Sequence, residues 1–263
     1  MTQAKRSGVN KGLIPDWLDA IFLRSLVPTI RHLVTARVDP NWLTVLAFGF
    51  TLAAAVLIVA DRLLLAFVCV VVGGILDFTD GKVAVLTGRV TTSGAILDSA
   101  LDRYSDAVVY VALTVYFAMR SHPVTALAAI VAMTGSMMTS YMMALGKSHA
   151  IDFRIGVLRR QDRVTLLSLG LVFTPLHDVI ESAAQTGGAL VGISIGPVPL
   201  MPLSLVIYLL ALLSNVTALQ RLRLLLALAG REVSGPKGER DQEMSLREKQ
   251  LALLEREIGK RDS

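Results

Sequence analysis

The sequence predicts an all-α, polytopic membrane protein with six transmembrane helices, preceded by an N-terminal amphipathic helix at the membrane interface. Three observations support this prediction. Hydrophobic residues make up 53% of the 263 residues, and the mean hydropathy of +0.59 is too high for an ordinary soluble domain. Charged residues concentrate in residues 1–40 and 221–263. The region between them contains apolar segments of roughly the 20 residues that a helix needs to cross a bilayer.

The chain divides into three parts by composition. An N-terminal tail with the interfacial helix is expected over residues 1–40, because residues 15–35 place apolar side chains at helical spacing. A membrane domain is expected over 41–225, and a charged cytoplasmic tail that has the spacing for a short helix over 226–263. The predicted spans are residues 42–60, 63–83, 94–119, 124–145, 164–181 and 198–220.

The distribution of Lys and Arg predicts the orientation. They concentrate in the N-terminal tail and in the joint over 146–163, whereas the joints on the opposite side contain Arg62 and Arg120. Because cytoplasmic joints are enriched in these residues, we expect a multi-pass protein of the plasma membrane with both termini in the cytoplasm. The net charge of +5 fits contact with anionic lipid. No nucleic-acid partner is expected, because aromatic residues do not alternate with the basic ones.

Four aspartates lie at the predicted cytoplasmic ends of the second and third spans. Asp77 and Asp80 are three residues apart, and Asp98 and Asp102 are four apart, so each pair shares one helical face. An ionised Asp within a membrane segment costs at least roughly 2.5–3.5 kcal/mol. Helix capping would explain Asp80 and Asp98, but Asp77 and Asp102 lie one turn deeper in apolar sequence.

The chemistry of four neighbouring carboxylates indicates a metal site. The carboxylates repel one another unless cations lie between them, and hard divalent cations prefer oxygen ligands. Two such ions can hold a phosphoryl group during a displacement. We therefore expect two Mg²⁺ or Mn²⁺ ions acting on a phosphate-containing substrate. A cation transporter is the alternative, although the sequence shows no internal repeat and no mid-span carboxylate in the last three spans.

Residues 77–102 carry a recognisable pattern, D-F-T-D-G-K-V-A-V-L-T-G-R-V-T-T-S-G-A-I-L-D-S-A-L-D. This pattern resembles the signature of the CDP-alcohol phosphotransferases, D-x-x-D-G-x-x-A-R, then eight residues, then G-x-x-x-D-x-x-x-D. The likeness extends over residues 15–225. It implies a homodimeric enzyme of phospholipid biosynthesis that transfers a phosphatidyl group from CDP-diacylglycerol to a small alcohol acceptor and releases CMP.

The resemblance also implies residue roles. Asp77, Asp80 and Asp98 would bind metal, and Asp102 would border the metals and act as the general base on the acceptor hydroxyl. Val85 stands where the signature has Arg, so Arg89 or Lys82 is expected to replace that Arg. The implied nucleotide-binding residues are Asn41, Thr44, Asp77, Gly81, Ala84 and Arg89.

Two further stretches, residues 101–106 and 153–164, resemble the family branch that uses inositol phosphate as its acceptor. A phosphorylated acceptor needs cations, and Lys147, Arg154 and Arg160 are the predicted acceptor-phosphate residues, with Arg159 and Arg163 as further candidates. Met142 and Met143 stand where this branch usually has a basic cluster. Together with Val85, they motivate the alternative of a catalytically impaired family member that binds CDP-lipid without turnover.

Overall fold

The computed structural model describes residues 16–149, 151, 156, 158–186, 194–195, 198–199 and 201–232. Within these residues the chain forms seven α-helices and a hairpin of two short antiparallel strands. The helices are α1 (Asp16–Thr35), α2 (Pro40–Val59), α3 (Leu63–Leu86), α4 (Thr92–Met119), α5 (Pro123–Ser148), α6 (Arg160–Thr186) and α7 (Pro202–Glu232), and the strands are β1 (Ser194–Ile195) and β2 (Val198–Pro199).

The helices confirm an all-α membrane protein. Four of the described helices, α2, α3, α5 and α7, are long and apolar enough to cross a membrane. The remaining two predicted spans coincide with α4 and α6. The part of α4 from its start to Asp106 contains four charged side chains, which lower its hydropathy. Six spans with an interfacial α1 therefore stay a prediction.

The start of the last helix was predicted incorrectly. Residues 198–199 belong to β2, and α7 begins at Pro202, where a proline without an N–H group fits the first turn. The helix then runs to Glu232, past the predicted end of the span at residue 220 and past the proposed boundary at residue 225. The helix predicted for the tail falls beyond the described part of the chain.

Two tight turns close the end of the molecule opposite the aspartates. Asp61 between α2 and α3 has φ 60°, and Ser121 between α4 and α5 has φ 58°. The Arg120 guanidinium pairs with the Asp61 carboxylate and lies 4.7 Å from the ring centroid of Tyr116. These contacts join the α2–α3 hairpin to the α4–α5 hairpin.

The helices α2 to α7 share one apolar core, in which Ile58, Leu113, Phe117 and Leu171 are fully buried. A separate apolar cluster joins α1 to α2 and α3 near the aspartates; it contains Leu26, Ile30, Leu43 and Val83. Part of the apolar face of α1 therefore packs on the membrane domain. The side chains of Trp17, Ile21 and Leu23, which the sequence assigns to the same face, lie outside the described side chains.

Candidate metal centre

Three carboxylates meet where α3 ends and α4 begins. Asp77 in α3 and Asp98 and Asp102 in α4 each have a carboxylate oxygen within 4.8 Å of the others. All three side chains are partly buried. The helical spacing of the residues predicts this meeting of two faces, and the short α3–α4 joint allows it.

Asp80 lies beside this group and has partners of its own. Its Oδ2 accepts a hydrogen bond from Thr44 Oγ1 at 2.5 Å, and its Oδ1 accepts one from the Gly81 backbone N–H. Only 5% of Asp80 is exposed. Thr44, which the resemblance assigns to the nucleotide site, thus directly contacts a predicted metal ligand.

The first turns of α2 and α4 lie against each other at this site. Asp39 caps α2 by accepting the Asn41 N–H at 3.0 Å, and Thr91 caps α4 by accepting the Gly94 N–H at 3.1 Å. The position that a Cβ on Gly94 would take is 3.0 Å from Asn41 Oδ1, so a side chain there would press on Asn41. Because helix N-termini present free N–H groups, this arrangement favours anions.

The other predicted nucleotide residues lie around the α3–α4 joint. Gly81 is exposed, and a Cβ there would meet nothing within 4 Å. Ala84 is half-buried. Arg89 Nη1 donates to the Arg37 carbonyl at 3.3 Å and so ties this joint to the α1–α2 turn. Val85, at the signature's Arg position, is 68% exposed.

Arg160, in the first turn of α6, lies at the carboxylate group. Its Nη1 is 2.6 Å from Asp77 Oδ2 and 2.8 Å from Asp102 Oδ1. The sequence assigns Arg160 to an acceptor phosphate, and the structure places it against two predicted metal ligands. Lys147 is exposed in the last turn of α5, and Arg154 is outside the described residues.

Sequence reasoning missed Asp106 and Ser136. Asp106 Oδ2 accepts a hydrogen bond from Ser136 Oγ at 2.6 Å and another from Arg163 Nη2 at 3.0 Å. The signal was present, because Asp106 continues the four-residue spacing of Asp98 and Asp102 along α4. Ser136 gives no such signal, since its partner is on another helix.

A cavity of about 70 Å³ lies beside the carboxylates, between α2, α3, α4 and α6. One part of its wall is charged, with Asp77, Asp106, Arg160 and Arg163. The rest is mainly apolar and includes Val70 and other aliphatic residues. The cavity therefore extends from the charged site into the apolar interior.

The donor set suits a hard divalent cation. Asp77, Asp98 and Asp102 offer oxygen ligands only, as Mg²⁺ and Mn²⁺ prefer. With all groups ionised, three carboxylates and the guanidinium of Arg160 leave two negative charges, which one divalent cation would neutralise. The group can therefore hold a metal ion.

We expect Thr44→Val to destabilise the protein more than Thr51→Val. The Thr44 hydroxyl donates to the buried Asp80 carboxylate, whereas the Thr51 hydroxyl donates to the Ala47 carbonyl of its own helix. Losing a hydrogen bond to a charged group costs roughly 1.5–3 kcal/mol, against about 1 kcal/mol for a neutral one. Denaturation in detergent measures both, and equal losses would contradict the role assigned to Thr44.

The sequence profile of the CDP-alcohol phosphatidyltransferase family matches residues 37–230. This range includes the three-carboxylate group, the paired N-termini of α2 and α4, and nearly all of α7. The chain therefore belongs to the CDP-alcohol phosphatidyltransferase family and is a transferase of phospholipid synthesis. Family membership leaves the cation-transporter alternative without support.

Similar proteins include several phosphatidylinositol phosphate synthases. The enzyme of Mycobacterium bovis is 29% identical over 214 residues, which cover 80% of this chain and 89% of that protein. The enzyme of Corynebacterium glutamicum is 31% identical over 149 residues, or 55% of this chain and 68% of that protein.

Solved structures share the fold. The crystal structure of Mycobacterium tuberculosis phosphatidylinositol phosphate synthase with CDP-DAG bound is similar with a TM-score of 0.61 and 25% identity, covering 77% of this chain and 94% of that one. The same enzyme in complex with manganese and citrate has a TM-score of 0.60 at 24% identity, covering 76% and 88%. These similarities support a membrane fold of this type.

Proposed function

We propose that this protein transfers the phosphatidyl group of CDP-diacylglycerol to inositol phosphate and releases CMP, with two Mg²⁺ or Mn²⁺ ions at the site. The observation that carries the proposal is the meeting of Asp77, Asp98 and Asp102 within 4.8 Å beside the first turns of two helices. Relatives named phosphatidylinositol phosphate synthases support the acceptor. Divalent ions would offset the diphosphate charge and stabilise the departing CMP.

Asp102 is the proposed general base. The acceptor hydroxyl oxygen forms a bond to the phosphatidyl phosphorus, and the bond from that phosphorus to the CMP oxygen breaks. The hydroxyl proton passes to a carboxylate oxygen of Asp102. Asp77, Asp80 and Asp98 complete the proposed metal-binding set, in which Thr44 and the Gly81 N–H orient Asp80.

The nucleotide diphosphate is proposed to lie at the first turns of α2 and α4. The free N–H groups of these turns favour its negative charge. Gly81 leaves open space beside Asp80, and Ala84 adds only a methyl group one turn later. Asn41 and Arg89 are the proposed polar contacts, and both are exposed.

The acceptor phosphate is proposed to pair with Arg160, with Lys147 and Arg154 as further contacts. Arg160 already contacts Asp102, so a phosphate bound there would bring the acceptor close to the general base. We further propose six membrane spans, an interfacial α1, both termini in the cytoplasm, and a homodimer in the plasma membrane.

The lipid product tests the proposal. Purified protein in lipid nanodiscs would receive CDP-diacylglycerol, Mg²⁺ and one of four acceptors: inositol phosphate, inositol, glycerol phosphate or serine. Mass spectrometry is expected to identify phosphatidylinositol phosphate with the first acceptor. A different lipid product would show that inositol phosphate is not the acceptor. Binding of CDP-diacylglycerol without any product would instead favour the catalytically impaired alternative.

A further inference from the structure

Asp106 lies one helical turn beyond Asp102 in α4. It is at the centre of a polar cluster between α4, α5 and α6. It accepts hydrogen bonds from Ser136 Oγ at 2.6 Å and Arg163 Nη2 at 3.0 Å. Its Oδ1 also lies 4.0 Å from Arg160 Nε. One carboxylate therefore interacts with both arginines in the first turn of α6.

The pair of Arg163 and Asp106 fixes the start of α6 across the cavity. Arg163 is only 5% exposed, and a buried guanidinium without a counter-ion is strongly destabilising. Asp106 is held in turn by Ser136 of α5, which is fully buried. The first turn of α6 is thus anchored to α4 and, through Asp106, to α5.

Arg160 precedes Arg163 by three residues, so both side chains leave the same face of α6. From this position Arg160 contacts Asp77 and Asp102. We propose that Asp106 is a positioning residue: acting through Arg163 and the first turn of α6, it holds the Arg160 guanidinium against the Asp77 and Asp102 carboxylates.

This placement has a consequence for metal binding. Arg160 and a divalent cation compete for the same carboxylates, so Arg160→Gln is expected to raise Mn²⁺ affinity roughly tenfold. Loss of the anchoring pair should act in the same direction, because Arg160 would leave the carboxylates part of the time. A purely structural Asp106 would change stability without this effect.

The test is a double variant of the full chain, Asp106→Leu with Arg163→Leu. It removes the ion pair without changing the net charge. Exchanging a buried ion pair for apolar residues is often neutral for stability. Mn²⁺ titration in nanodiscs, followed by electron paramagnetic resonance, is expected to show about threefold or greater tightening. In the Arg160→Gln background the same pair should add nothing, since coupled changes are not additive. The proposal would be overturned if the paired variant bound Mn²⁺ with wild-type affinity. It would also be overturned if the paired substitution raised Mn²⁺ affinity equally in the wild-type and Arg160→Gln backgrounds.

A milder variant provides a second test in case the paired variant does not fold. Ser136→Ala removes one hydrogen bond from Asp106 and should tighten Mn²⁺ binding slightly, with no change in the Arg160→Gln background. The control is Ser168→Ala, a buried serine of α6 whose hydroxyl bonds the Val164 carbonyl, for which Mn²⁺ affinity should not change. Equal effects of the two serine variants would contradict the role of Asp106.

The kinetic consequence rests on the proposed function. The paired variant should raise KM for inositol phosphate more than it lowers kcat, because Arg160 is the proposed phosphate contact. If the wild-type protein releases no CMP, the proposed function fails, while the Mn²⁺ titrations still decide the role of Asp106. Unchanged KM together with unchanged Mn²⁺ affinity would overturn the positioning role itself.

Discussion

Asp102→Asn is expected to lower CMP release by about 10²–10⁴-fold, the usual contribution of a general base. The substitution keeps the size of the side chain but removes its ability to accept the hydroxyl proton. Asp102 is partly buried in the three-carboxylate group and lies 2.8 Å from Arg160 Nη1. The rate should be measured at saturating Mg²⁺, because Asp102 is also a proposed metal neighbour and weaker metal binding would otherwise add to the loss.

The matched control is Asp61→Asn. Asp61 is an exposed aspartate at the opposite end of the helices, where it pairs with Arg120. Exposed ion pairs contribute only about 0–1 kcal/mol, so this variant should keep its activity. If Asp102→Asn at saturating metal keeps the wild-type rate, the assignment of the general base is wrong.

Gly135→Ala is expected to disrupt the packing of α5 against α7. A Cβ at Gly135 would lie 2.6 Å from Asn215 Nδ2 and 2.8 Å from the Asn215 backbone nitrogen. The Asn215 amide cannot move freely, because it donates to the Val131 carbonyl at 3.0 Å and the Ala211 carbonyl at 2.8 Å. Overpacking at such a contact costs roughly 1–3 kcal/mol or more, so α5 and α7 should separate and the melting temperature should fall.

Gly49→Ala provides the control for this prediction. Gly49 lies inside α2, and a Cβ there would meet nothing within 4 Å. Replacing glycine by alanine within a helix is favourable by about 0.8–1 kcal/mol when space is available. Thermal unfolding in detergent should therefore show a lower melting temperature for Gly135→Ala and a higher melting temperature for Gly49→Ala than for the wild-type protein. Stabilisation by both would show that α5 and α7 do not pack as closely as described.

The carboxylate group was predictable because it depends on local periodicity. Residues three or four apart share a helical face, and a joint of a few residues brings adjacent faces together, so Asp77, Asp98 and Asp102 followed from spacing alone. The position of Arg160 did not follow. It depends on how α6 packs across the cavity, and the sequence shows only that several cations lie just before the span predicted from residue 164. Asp106 continues the four-residue spacing of Asp98 and Asp102 and could have been predicted to share their face. Its partners could not, because they lie on α5 and α6.

Hydropathy was a poorer guide to boundaries. Residues 198–201, Val-Pro-Leu-Met, are apolar enough to extend the last span, yet residues 198–199 pair with β1 and the helix begins at Pro202. Conversely, α4 is a helix of 28 residues although its charged first half keeps it below the hydropathy of a membrane span. A hydropathy average does not contain strand pairing, and it does not distinguish charged side chains that other helices partly bury from charged side chains in water.

Metal-dependent CMP release from CDP-diacylglycerol is the most direct measurement of the central claim. Purified protein in nanodiscs would be supplied with CDP-diacylglycerol and inositol phosphate, first with Mg²⁺ and then with excess chelator. We predict CMP release with Mg²⁺, its loss on chelation, and its return when Mn²⁺ is added. CMP release that continues at an undiminished rate in excess chelator would contradict the assignment of these aspartates to a metal-dependent transfer.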